Sequence, residues 1–196
     1  MKNNAIYIPV DALSKHEDFD IWYRDGDLAF RFTGDWTKES DKVLIWNRHG
    51  AECGSIRLDP GSKTMIYVKM ERWEYELHTY VIFEDYYFKG MLWKIEGSPS
   101  KPPFDFYSER SEKNEVRIRK TTFKNHGECF EVKVRDLALL RVAAAALVSI
   151  MFKEEYKGLS EGIEDPNATR ADKMKRFFKG NKGLTYEQIL AGERYV

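Results

Sequence analysis

From Ile6 to about Arg135 the apolar positions come in short runs rich in Val, Ile, Tyr, Phe and Trp, set apart by Gly, Asp, Asn, Ser and Pro. That punctuation predicts antiparallel strands joined by tight turns, because branched and aromatic side chains suit a pleated, half-buried surface. Ile21-Trp22-Tyr23 and Leu28 to Phe32 flank Asp25-Gly26, which supplies the positive φ a tight hairpin needs. Val43 to Trp46 and Ser55 to Leu58 flank Arg48-His49-Gly50 as a second hairpin, and Met65 to Met70 with Tyr75 to Phe83 form a third. The run from Tyr86 to Ile95 is interrupted by Gly90, where a bulge or barrel corner is expected. Pro99, Pro102 and Pro103 mark a loop before Phe104 to Tyr107.

The last hairpin is the cleanest. Val116 to Lys120 and Phe130 to Arg135 alternate strictly, with Lys124-Asn125-His126-Gly127 turning between them. Pairing Val116 with Val134 puts Ile118 opposite Val132 on one face. The same register sets Glu115 against Arg135 and Arg119 against Glu131 on the other. Apolar side chains inside and complementary charges outside define a register. Roughly ten or eleven strands at this spacing imply a closed sandwich or barrel.

The period then changes. Asp136 can cap a helix with the body Leu137 to Phe152, and Lys153, Lys157 and Gly158 suit its C-terminal end. This segment is apolar nearly all round, so it has to be enclosed. Sixteen residues at about 1.5 Å each give about 24 Å, short of the roughly 30 Å of a bilayer core. Arg141 inside the run adds a cost of a few kcal/mol to any membrane-spanning reading. Enclosure by protein is the better solution.

Composition narrows the function classes. The chain has 196 residues, with 32 Lys plus Arg against 32 Asp plus Glu, which disfavours a generally basic nucleic-acid binder and an acidic disordered chain. Cys53 and Cys129 lack zinc spacing and are too few for a disulfide framework, so they read as thiols of a reducing compartment, with a single bridge between them as the alternative. The stretch from Met1 to Asp11 has no secretory pattern, and a cytoplasmic protein without a transmembrane segment is expected. His16, His49, His78 and His126 show no metal-binding spacing, and neither a P-loop, a GxGxxG nor a GxSxG is present. The residues therefore call for no metal, no cofactor and no catalysis.

Many antiparallel strands followed by one terminal helix too apolar for a surface is an uncommon order. It resembles the tubby C-terminal-like fold, in particular its LURP-one-related and phospholipid-scramblase-like members. The likeness is carried by Tyr86 to Glu96 with Lys89-Gly90 and Trp93-Lys94-Ile95-Glu96-Gly97, by Val116 to Thr121, by Glu131 to Arg135 and by the helix Asp136 to Phe152. It covers about residues 5 to 156 and implies a mainly β fold, a closed antiparallel twelve-stranded barrel around a central hydrophobic helix. Ala143 to Ala146 suit that reading independently, being small enough for a narrow interior. Tubby proteins bind phosphoinositides through basic residues on the barrel surface, and none of those positions is carried over to this sequence; Cys53 and Cys129 do not form the scramblase-like cysteine cluster. On this division residues 1–157 form the barrel domain and residues 158–196 a C-terminal extension of loop and short helices.

Two places carry candidate chemistry. Arg141 is expected at the barrel mouth, its stem buried and its head reaching water or a strand carboxylate; the sharper alternative is a gate or ligand contact. In the extension, Arg170, Lys173, Lys175, Arg176, Lys179 and Lys182 stand against Asp172, six cations to one anion. Met174, Phe177 and Phe178 fall on one face of the short helix that Thr169 can cap. Such a helix can press onto an anionic membrane surface, or dock its apolar face on the barrel with the lysines solvated. The expected function is a non-catalytic binding module, peripheral at membrane and associating with anionic phospholipid. The alternative is a protein-interaction scaffold; a nucleic-acid partner is not expected.

Overall fold

Each strand pairs antiparallel with the next in sequence, and the last returns to the first, so that the sheet closes into a barrel. The computed structural model describes residues 4–13, 17–34, 42–58, 65–80, 85–98, 101–111 and 113–160. The strands are β1 (Ala5–Pro9), β2 (Phe19–Tyr23), β3 (Leu28–Thr33), β4 (Lys42–Asn47), β5 (Glu52–Leu58) and β6 (Met65–Met70). They continue as β7 (Trp73–Tyr80), β8 (Asp85–Lys89), β9 (Trp93–Ser98), β10 (Lys101–Ser108), β11 (Asn114–Thr122) and β12 (Glu128–Val134), followed by the helix α1 (Leu140–Ser160). Closure pairs β1 with β12 from Ala5↔Lys133 to Pro9↔Cys129, which removes the open edges that would otherwise recruit other chains.

Period-two alternation fills the interior. Ile6 and Ile8 of β1, Ile21 of β2, Phe32 of β3, Ile118 of β11 and Val132 of β12 all point inward and are buried. The predicted register of the last hairpin holds, with Val116↔Val134 and Ile118↔Val132. Outside, Arg135 Nη1 lies 3.9 Å from Glu115 Oε1. Arg119 faces Glu131 across the ladder as expected, yet its ion pair goes the other way, to Asp105 of β10 at 3.5 Å. Glu131 accepts instead from the Tyr7 hydroxyl at 2.8 Å. The Asp25-Gly26 hairpin also forms, with Gly26 at φ +100° and Tyr23 N donating to Asp27 O at 2.8 Å.

The helix occupies the lumen. Leu140, Val142 and every residue from Ala143 to Ile150 are buried, as is Phe152. The strands closest to α1 are β1 and β12 on one side and β6 and β7 half-way round the ring, so the wall surrounds it. The four alanines let opposite walls approach, while Tyr75 of β7 reaches in and its hydroxyl donates to Val142 O at 3.4 Å. Ser149 satisfies its own buried hydroxyl by donating to Ala145 O at 2.7 Å.

Three local expectations change. Gly90 is neither a bulge nor a corner within one strand: at φ +92° it begins the turn between β8 and β9, bringing the barrel to twelve strands. A side chain there would meet Glu74 O at 2.9 Å, so glycine serves both the reversal and the close approach. Pro102 and Pro103 lie inside β10, where the pairing with β9 skips from Lys101↔Ser98 to Phe104↔Gly97. Proline lacks the ladder donor, and an interrupted register is where a strand tolerates it. Finally, Leu137–Leu139 form a 3-10 turn capped by Asp136, whose Oδ1 accepts from Ala138 N at 3.0 Å, and α1 then runs past Gly158 to Ser160. A glycine within a helix costs only about 1 kcal/mol relative to alanine, too little to force the stop expected there.

Candidate functional site

Because consecutive strands alternate in direction, the turn residues 71–72, 90–92 and 109–111 gather at the end of the barrel where α1 begins. The exposed large apolar side chains of the described residues collect there too: Trp73 is 44% exposed, Leu92 44% and Leu137 42%. Trp73 opens β7, Leu92 sits in the turn before β9, and Leu137 follows the Asp136 cap. Beside Trp73 and Leu92 lies an open groove of about 390 Å³ walled by Trp73, Met91, Leu92, Trp93 and Leu139, with Arg110 and Glu115 among its polar groups. Its floor is firm, since Met91 and Trp93 are themselves buried, and the Trp93 ring tilts against Phe106 at 5.4 Å.

Charges at this rim are largely committed. Arg141, the expected barrel-mouth residue, is part-exposed and donates from Nη1 to Glu71 Oε2 at 2.8 Å across to the β6–β7 turn. Exposed pairs of this kind contribute under about 1 kcal/mol, so this one orients side chains more than it stabilises the barrel. Glu115 is engaged by Arg135, as described above. Arg110 makes no ion pair with any described residue. None of Trp73, Leu92 and Leu137 was singled out from the sequence. Trp73 and Leu92 carry a signal, each being a large apolar residue in or beside a turn, where turn chemistry favours polar ones, whereas Leu137 reads as part of the apolar helix.

The other candidates lie outside this groove. His49 accepts from Arg48 Nε at 3.1 Å in the β4–β5 turn, and His126 stacks on Trp22 at 3.7 Å on the outer wall. His78 stacks on Tyr87 and lies 2.7 Å from Glu76 Oε2, a pair joined by Lys89 at 3.3 Å. Burial alone would raise the Glu76 pKa, but the hydrogen bonds from His78 and Lys89 outweigh it and hold the carboxylate below its ordinary range. His16 and the basic cluster Arg170, Lys173, Lys175, Arg176, Lys179 and Lys182 lie outside the described residues. Among the described residues no three His, Cys, Asp or Glu side chains group as metal ligands. No described helix is long and apolar enough to cross a membrane.

Both cysteines are free and buried. Burial pushes the Cys53 thiol up, partly opposed by the Arg141 guanidinium. Cys129, packed with Tyr7 and Phe123, is pushed up to about 11 by burial and by the charge of Asp11. The thiolate is the reactive form, so neither should be modified by a thiol reagent at pH 8 until denaturant is added. Rapid modification of the folded chain would contradict that burial. The sign of the pH effect follows. In the unfolded chain Cys129 ionises near the ordinary thiol value of about 8.5, so stability falls as pH rises from there towards about 11. Urea midpoints across that window should fall less in Cys129→Ala than in the wild type.

No family model matches this chain, and no curated protein matches it. Among solved structures, the X-ray structure of a protein from Arabidopsis thaliana matches with a TM-score of 0.52, covering 74% of this chain and 88% of that one at 15% sequence identity. At that identity the likeness speaks for architecture: this mainly β chain, a closed barrel of twelve antiparallel strands around one C-terminal helix, shares its fold with the plant protein.

Proposed function

We propose that the chain is a non-catalytic, tubby-like binding module of the LURP-one-related and phospholipid-scramblase-like kind, and that it associates peripherally with anionic membrane lipid. The observation that carries this reading is the filled lumen. With α1 buried along the barrel axis from Leu140 to Phe152, apart from part-exposed Arg141 and Met151, the helix takes the place in the lumen that a substrate would need, and recognition falls to the outer surface. A module that works from its outside suits an extended ligand such as a bilayer face. The basic residues Arg170, Lys173, Lys175, Arg176, Lys179 and Lys182, with Met174, Phe177 and Phe178 among them, supply the charge and the apolar contact. Each Lys or Arg close to an anionic bilayer contributes about 1 kcal/mol, so six suffice for association that salt reverses.

Vesicle sedimentation tests this. The full chain should pellet at low salt with phosphatidylcholine vesicles containing phosphatidylserine, stay in solution with phosphatidylcholine alone, and be released by added salt. Removing residues 169–183 should abolish pelleting. Binding that survives the removal moves the lipid site to the barrel surface. Failure of the full chain to pellet with anionic vesicles at low salt ends the lipid reading.

A further inference from the structure

The groove at the rim where α1 begins has a different character from the basic extension. It is concave and open, with a volume of about 390 Å³. Tryptophan, methionine and arginine, which supply part of its lining, are the side chains enriched at the centres of protein interfaces. With the Arg141–Glu71, Arg135–Glu115, Lys89–Glu76 and Lys94–Glu96 pairs set aside, the described charges that neighbour the groove's lining along the chain include Arg72 and Lys113 against Glu74, Glu109 and Asp136, with Arg110 in the lining itself. That balance lacks the single-sign field an anionic bilayer selects. An apolar centre inside a mixed-charge margin matches a protein surface instead.

We propose that this groove docks a short segment of another protein, one bearing a large apolar side chain next to a carboxylate. The apolar side chain seats between Trp73, Leu92 and Leu139 on the floor made by Met91 and Trp93. The carboxylate meets Arg110, which lines the same groove and has no ion pair among the described residues, whereas Glu115 beside it is already engaged by Arg135. This docking is independent of the lipid reading, because it uses the barrel rim and not residues 169–183.

The indole signals of the full chain labelled with nitrogen-15 test it, since Trp73 and Trp93 both line the groove. The probes are a capped tetrapeptide with leucine and phenylalanine between two aspartates, and its counterpart with two lysines. The acidic peptide should shift both indole signals saturably, and the lysine peptide should bind about two- to fivefold more weakly, the worth of one exposed ion pair. Arg110→Glu should reverse that order, and Leu92→Asp should remove the shifts from both peptides. Arg110 and Leu92 are exposed at turns, and unchanged Trp22 and Trp46 signals will report an intact barrel. The proposal is overturned if neither peptide shifts Trp73 or Trp93, or if Arg110→Glu leaves the order unchanged. Shifts produced by phosphatidylserine vesicles but by neither peptide would overturn it equally, making the rim a lipid surface.

Discussion

Phe in place of Ala144 or Ala145 is expected to destabilise the barrel by more than about 1–3 kcal/mol, the usual range for overpacking. In most cores part of that strain is relieved by a neighbouring element sliding away. Here the neighbours are strands of a closed ring, and one cannot move outward without straining two ladders. Both alanines belong to the buried stretch of α1, with β1 and β12 on one side and β6 and β7 on the other. The control is Ala138→Phe in the exposed 3-10 turn, where the added ring meets solvent. Urea midpoints should separate the interior variants from the control. Equal midpoints for Ala144→Phe, Ala145→Phe and Ala138→Phe would mean that sheet does not surround the helix.

Phe106→Ala should cost about 3–5 kcal/mol, the range for removing a buried phenylalanine ring, and the damage should be local. Phe106 is fully buried in β10, and its ring meets Phe88 edge-on at 5.5 Å and Trp93 at 5.4 Å. Those two rings belong to β8 and β9, whose ladder has the single registered pair Tyr87↔Lys94 among the described residues. The β11–β12 ladder, by contrast, runs through seven pairs from Val116↔Val134 to Thr122↔Glu128. Ring packing therefore takes over at β8–β9 what backbone hydrogen bonds do elsewhere. Amide exchange in Phe106→Ala should accelerate most in β8 and β9 and least in β11 and β12. Uniform acceleration would show that the aromatic cluster does not hold this seam.

Local chemistry was legible in the sequence wherever neighbours along the chain are also neighbours in space. Asp25-Gly26 announced its hairpin, Asp136 its cap, and the alternation of Val116 to Lys120 with Phe130 to Arg135 fixed a register. What alternation along two strands cannot say is what a third strand offers. Arg119 had a plausible partner in Glu131, but Asp105 lies on its other side, its Oδ2 accepting from Asn114 at 2.6 Å and its Oδ1 left to Arg119. Gly90 was ambiguous for a similar reason, since a positive φ serves a bulge and a reversal alike. The rim groove was the least legible feature. Trp73, Leu92 and Leu137 are far apart in the chain, and only closure of the barrel with the helix inside brings their turns to one end. The enclosed helix was readable because a segment apolar on every face has few alternatives.

The pairing of Ala5 to Pro9 with Cys129 to Lys133 has a consequence for biosynthesis. During translation the first strand leaves the ribosome more than a hundred residues before its partner exists, and the plug is made later than all twelve staves. Until α1 emerges, the inward faces of the nascent sheet have nothing to cover them. Contacts so distant in sequence slow folding, so newly made chains would depend on chaperones to shield them.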